Sequence, residues 1–300
     1  MTTISTSAFY ERANLSLSSL RKRAERLQGA IGSGERLGRS SDDPVAASRL
    51  RRLARADSFA VIDQSIAARA MADFTLADGA LSSLAAYVTR IKELATQAAT
   101  GTLNAAQRAR IATEIGQLHG ELVQLANTRD SAGHALFGGE SAGAAYVLDG
   151  SGNPVYAGTA SAGQLALGEG QSVARGLTGP EVLNFAGTDL FAVVRALADA
   201  LAGAAPDPAQ AARDALGQLD AGLETITTAQ TVVGARMNWI DLAAERRTAM
   251  EELRSEEQGK IGGTDIAETV IRLQQTMTVL EASQASFARL SSLSLFNLIT

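Results

Sequence analysis

Apolar residues at both ends of this chain recur with alternating spacings of three and four, and that spacing restricts the possible folds more than any other feature. Near the N-terminus the series is Leu17, Leu20, Ala24, Leu27 and Ile31; near the C-terminus it is Ile266, Val270, Leu273, Met277, Leu280, Gln284 and Phe287. A repeat of three and a half residues holds one seam on one side of a helix, the geometry of coiled-coil packing. An isolated helix cannot bury such a seam. The two ends are therefore expected to pair with one another and with other chains. Leu17, Leu20, Leu27 and Ile31 would face Ile266, Val270, Leu273, Met277, Leu280 and Phe287, with Leu293 and Leu295 extending the C-terminal side.

The interior follows the same logic. Ser41-Asp42-Asp43-Pro44 offers an N-cap acceptor with proline at the first helical position, directly after Gly32, Gly34 and Gly38 have ended the first helix. A helix can then run to about Thr100, roughly 85 Å at 1.5 Å per residue. Its stripe begins with Leu50 and Leu53, continues through Phe59, Ile62 and Ile66, and finishes with Leu81, Leu84, Val88 and Ile91. After a turn at 101–104, Ile111, Ile115, Leu118, Leu122 and Leu125 mark a further helix. Pro206-Asp-Pro208 opens the most regular stripe of all: Leu216, Leu219, Leu223, Ile226, Gln230, Val233, Met237, Ile240 and Ala244. Gly259, Gly262 and Gly263 separate it from the last helix.

Composition agrees with long helices. Apolar residues make up 46% of the chain, yet aromatics are only 4% and there is one Trp. Ala and Leu suit helices packed side by side. Between 138 and 187 the character changes to Gly, Ser and Thr with little charge. Ala145-Tyr-Val-Leu148 and Pro154-Val-Tyr156 flank Asp149-Gly-Ser-Gly152, which reads as a β-hairpin. The expected fold is mainly α: a long-helix bundle with paired N- and C-terminal coiled-coil helices and a small β-rich inserted outer domain. Its expected divisions are 1–43 with 262–300 as the terminal coiled coil, 44–137 with 204–261 as a helical rod, and 138–203 as the insert with a short helix.

Several function classes lose support. There is no Cys, so disulfides and thiolate metal sites are excluded. No run of eighteen apolar residues suggests a membrane span, and the polar N-terminus lacks the pattern of a cleaved signal peptide. Residues 11–69 carry twelve basic against seven acidic side chains, whereas 241–281 carry nine acidic against five basic. The basic arm has no aromatic interleaving and no recognised DNA-binding motif, so a charged helix face facing its acidic counterpart explains it better than nucleic acid does.

Gly139-Glu-Ser-Ala-Gly143 matches a nucleophile elbow, but both histidines, His119 and His134, precede Ser141, the wrong order for that hydrolase fold. Asp149 to Asn153 has too few carboxylates for a calcium loop. Neither histidine has a partner at metal-ligand spacing. No catalytic, cofactor-binding or metal residue is expected, and no cofactor.

Four stretches resemble the bacterial flagellin family: Ile4-Ser-Thr-Ser7, Ile31 through Leu50, Asn127 through Gly139, and the C-terminal helix from Thr264 onward. The Ser41-Asp42-Asp43-Pro44 turn and the ending from Leu280 to Leu298 are similar to the type found where hook meets filament, since the Asn-Gln tract of filament subunits is missing. The resemblance implies a non-enzymatic structural subunit of the extracellular flagellum, self-assembling as a homo-oligomer in a ring or helical tube. Its neighbours would be another hook-associated protein and flagellin. It also implies export as an unfolded chain through the flagellar type III apparatus, with a dedicated chaperone on the C-terminal helix. A filament flagellin shares these features. A cytosolic coiled-coil signalling protein would explain the heptads but not the Gly-rich insert.

Overall fold

The computed structural model describes residues 6–296, with side chains described from 8 to 290. The chain forms two compact units: residues 1–58 with 249–300, and residues 59–248. Both boundaries fall inside continuous helices. The elements are α1 (Thr6–Ser33), α2 (Pro44–Ala99), α3 (Ala105–Ala126), six short strands and two short helices, then α6 (Pro208–Gly262) and α7 (Ile266–Phe296). The main-α class with a small β-containing insert is what the structure shows.

The starts of α2, α3, α6 and α7 each carry a side chain that accepts from their orphan N–H groups. Asp43 Oδ1 accepts from Ala46 N at 3.0 Å, with Pro44 as the first helical residue of α2. Asn104 and Gln107 form a reciprocal capping box for α3. Asp207 Oδ1 accepts from Gln210 N at the start of α6, and Asp265 Oδ1 accepts from Glu268 N at the start of α7.

In the second unit, Phe74, Leu81, Leu84 and Ile91 of α2, Ile115 and Leu122 of α3, and Leu219, Ile226 and Val233 of α6 share one core. The buried line of α6 runs Ala212, Ala215, Leu219, Gly222, Ile226, Ala229, Val233, Ile240 and Ala243. Leu219, Ile226, Val233 and Ile240 lie where the spacing places them. Leu216, Leu223 and Met237 are only partly buried against the core, and small residues take the other flank. Gly222 shows why: a Cβ there would approach Leu190 and Phe185 to 3.0 Å.

The strands pair as three separate antiparallel hairpins: β1 (Tyr146–Leu148) with β2 (Pro154–Tyr156), β3 (Gln164–Gly168) with β4 (Gln171–Ala174), and β5 (Asn184–Phe185) with β6 (Thr188–Asp189). The β1–β2 turn is the expected one; Asp149 Oδ1 accepts from Ser151 N and Asn153 N at 2.8 Å each. α4 (Gly179–Leu183) precedes β5, and α5 (Leu190–Asp199) follows β6 and ends in a π-turn. Arginines tie this region together and to α6. Arg195 reaches Asn153 Oδ1 at 2.7 Å, while Arg236 and Arg247 of α6 donate to the carbonyls of Gly176 at 2.6 Å and Leu167 at 2.7 Å. Tyr146 stacks edge-on against Phe191 of α5 at 5.0 Å. The insert thus shares the core of the helices around it.

Candidate assembly surface

In the first unit α1 and α7 lie antiparallel. Tyr10 meets Phe287 edge to face at 5.5 Å, and at the other end Glu35 forms an antiparallel bridge with Gly263. Inward positions of α1 are Tyr10, Ala13, Leu17, Leu20, Ala24, Leu27 and Ile31, an unbroken three–four series. Leu17 and Ala24 are buried, and the other five are half-buried.

The inward line of α7 differs from the apolar spacing. It runs Thr269, Leu273, Thr276, Leu280, Ser283 and Phe287, with Val270 half-buried beside it. Carrying the Tyr10–Phe287 register inward by heptads brings Leu17 level with Leu280 and Ala24 level with Leu273, small against large. Thr276 can be buried because its hydroxyl donates to the Arg272 carbonyl at 2.7 Å. Ile266 (54% exposed) and Met277 (42%) stay open to solvent, joined by Ile271, Val279 and Leu290, and by Phe9 and Leu15 of α1. The side chains of Leu293, Leu295 and the Ile4–Ser7 stretch, together with Leu298, fall outside what the structure describes.

The segment Gly32 to Pro44 is a crossing held by backbone pairs. Arg36 N donates to Gly262 O at 2.7 Å and Thr264 N to Gly34 O at 2.9 Å. The Arg36 guanidinium adds bonds to Ile261 O at 3.3 and 2.9 Å and a contact to Asp43 at 3.6 Å. Asp42 Oδ2 accepts from Arg39 N at 2.9 Å. Of the family-motif turn Ser41, Asp42, Asp43 and Pro44, the two carboxylates and the proline therefore shape the backbone, while Ser41 is exposed. Gly263 has no substitute, because a Cβ there would lie 2.4 Å from the Gly259 carbonyl oxygen. Arg36 and Asp265 were not singled out by spacing, whereas Gly263 was read only as a helix break. Asp265 was legible as an N-cap, whereas nothing local marks Arg36.

Below the crossing, Arg49 of α2 grips Glu257 of α6 with two bonds of 2.6 and 2.8 Å, and Arg254 donates to Asp57 at 2.7 Å. Glu257 holds the Arg49 guanidinium above its ordinary pKa and is itself held lower by that bond. The other residues weighed for chemistry stay apart from one another. Ser141 Oγ accepts from Gly143 N at 3.3 Å, and His134 is exposed beside Asp130. His119 is pushed below the usual histidine range, first by burial and then by Arg195.

The terminal helices pair and leave apolar residues outside, and the chain resembles flagellar proteins. Residues 4–142 match the family model of the bacterial flagellin N-terminal helical region, so this part of the chain carries the flagellin-family signature. Over 291 residues the chain is 26% identical to flagellar hook-associated protein 3 of Escherichia coli (strain K12), covering 89% of this chain and 90% of that protein. It is 30% identical over 138 residues to hook-associated protein 3 of Salmonella typhimurium, covering 45% and 43%. The fold matches the crystal structure of the flagellar junction protein of Legionella pneumophila with a TM-score of 0.60 at 17% identity, over 71% of this chain and 99% of that one.

Proposed function

We propose that this chain is a non-enzymatic structural subunit of the bacterial flagellum that self-assembles at the junction and connects hook to filament. The observation that carries the reading is the α1–α7 pair. It buries one seam within the chain and leaves Ile266, Met277, Ile271 and Val279 exposed, a surface that copies in a ring or tube would cover. The similarity along nearly the whole length of hook-associated protein 3 supports the position.

Leu17, Leu20, Leu27 and Ile31 together with Val270, Leu273, Leu280 and Phe287 then form the paired seam, and Ile266 and Met277 face neighbouring copies. Leu293 and Leu295 continue that contact. The division into 1–43 with 262–300, 44–137 with 204–261, and 138–203 becomes one of roles (inner layer, middle layer and outer insert). Its neighbours are another hook-associated protein and flagellin. The chain leaves the cell unfolded through the flagellar type III apparatus, escorted by a chaperone on α7, and ends extracellular.

Immunogold electron microscopy with antibody to residues 138–187 tests this. A single band between hook and filament is the expected result. Label along the whole filament makes the chain a flagellin, the reading that the match over residues 4–142 would equally suit. No label on flagellated cells overturns both.

A further inference from the structure

We infer that copies of this chain meet sideways through opposite charges in the first unit, the outer face of α2 in one copy against the outer face of α6 in the next. This rests on the proposed assembling function and deepens it by naming a contact.

Arg51 and Arg55 are exposed, on the side of α2 turned away from buried Ala46 and Leu53, while Arg52, also exposed, sits on the flank where its charge acts on Glu257 of α6. Among the described residues, neither Arg51 nor Arg55 makes an ion pair; the α2 side chains bonded to the α6 charges are Arg49 and Asp57. On α6, Glu251, Glu252 and Glu256 are exposed, and among the described residues Glu256 pairs only with Lys260 of its own helix, at 2.6 Å. One side of the helix pair is thus basic and the other acidic, with the attractive pairs already used between the two helices.

The two charged faces stand at about the same height. Asp57 bonds both Arg254 and Gln258, which brings Arg55 within about a turn of Glu256. Arg51 and Arg55 are four apart, as are Glu252 and Glu256, so each pair spans about 6 Å of helix surface. A sideways neighbour can therefore set two arginines against two glutamates with a stagger of about one turn. A twofold arrangement through either face would oppose like charges. The faces accordingly disfavour a closed dimer and favour a heterologous contact, which repeats into a ring or a tube.

Three full-length variants test the contact in the source bacterium lacking its own copy: Arg51→Glu with Arg55→Glu, Glu252→Arg with Glu256→Arg, and all four together. Filaments per cell are counted by electron microscopy, and circular dichroism of each purified chain checks folding. Each reversed pair should lower the count by roughly tenfold or more, and the four-fold variant should restore it, because reversing both faces re-creates attraction. If a reversed chain does not fold, Arg51→Gln with Arg55→Gln and Glu252→Gln with Glu256→Gln replace it, with the same loss expected. Folded single-face variants that assemble as the wild type does overturn the contact, as does a folded four-fold variant that fails like its parents. A wild-type chain never found on flagella overturns the proposed function itself, and the contact with it.

Discussion

Asp73, on α2, has one carboxylate oxygen buried without a hydrogen-bond partner. Burial pushes its pKa above the ordinary carboxylate value, and the charge of Asp130 adds to the effect; Arg69, Arg175 and His134 pull partly the other way. A carboxyl raised in the fold favours folding when protonated. That contribution is complete below the ordinary carboxylate range and is lost as pH rises through the folded value. Asp73→Asn, which never ionises, should therefore raise Tm at pH 7, by about 2–4 °C for each kcal/mol gained in a unit of this size. The difference from wild type should shrink as thermal scans are taken towards pH 3, and a pH-independent difference would rule the explanation out.

Asn127 acts by shape instead. Its amide bonds both backbone groups of Tyr146, accepting from N at 2.9 Å and donating to O at 3.0 Å, as a strand would. Asn127→Ala leaves those groups unpaired next to buried Ala145 and should cost about 1–3 kcal/mol, measured by urea unfolding. The motif beginning at Asn127 was legible in the sequence; its bond to a position nineteen residues away was not.

At the scale of elements, α6 and α7 share one property. Each was read by its larger apolar residues, and each packs on a line half made of small ones: Ala215, Gly222 and Ala229 in α6, Thr269, Thr276 and Ser283 in α7. Hydrophobic periodicity weights large side chains, so it finds the helix and the approximate side. The choice of flank depends on how closely the neighbouring helix approaches, and small residues permit that approach. Leu273 belongs to both lines, half-buried and level with Ala24. Leu273→Asp would place a charge in the α1–α7 seam. Incorporation into flagella should be abolished, while circular dichroism retains the signal of the 59–248 unit. Normal incorporation of a folded Leu273→Asp chain would remove this seam from the assembly mechanism.

For the whole molecule, the separation into two units at residues 58 and 248 has a direct consequence. The second unit owns a core shared by α2, α3, α5, α6 and the hairpins. A chain of residues 59–248 should therefore unfold cooperatively by itself, with coincident fluorescence and circular-dichroism transitions. A broad, non-coincident transition would show that the terminal helices are needed to hold it. The first unit relies on the long pair α1–α7, whose remaining apolar surface finds cover only in other copies under the proposed function.

The sequence by itself determined that both ends are helices with one apolar seam each, that glycines and capped prolines or aspartates separate the helices, and that a hairpin-bearing insert interrupts them. These are local properties, set by periodicity, capping and backbone freedom within a few residues. The tertiary structure alone decided that Arg36 would clamp Ile261 across 225 positions of chain, and that Ile266 and Met277 would stay outside while Thr269 and Thr276 went in. Each depends on which backbone lies a few ångströms away. That distance arises only once the two ends have met, and no local spacing encodes it.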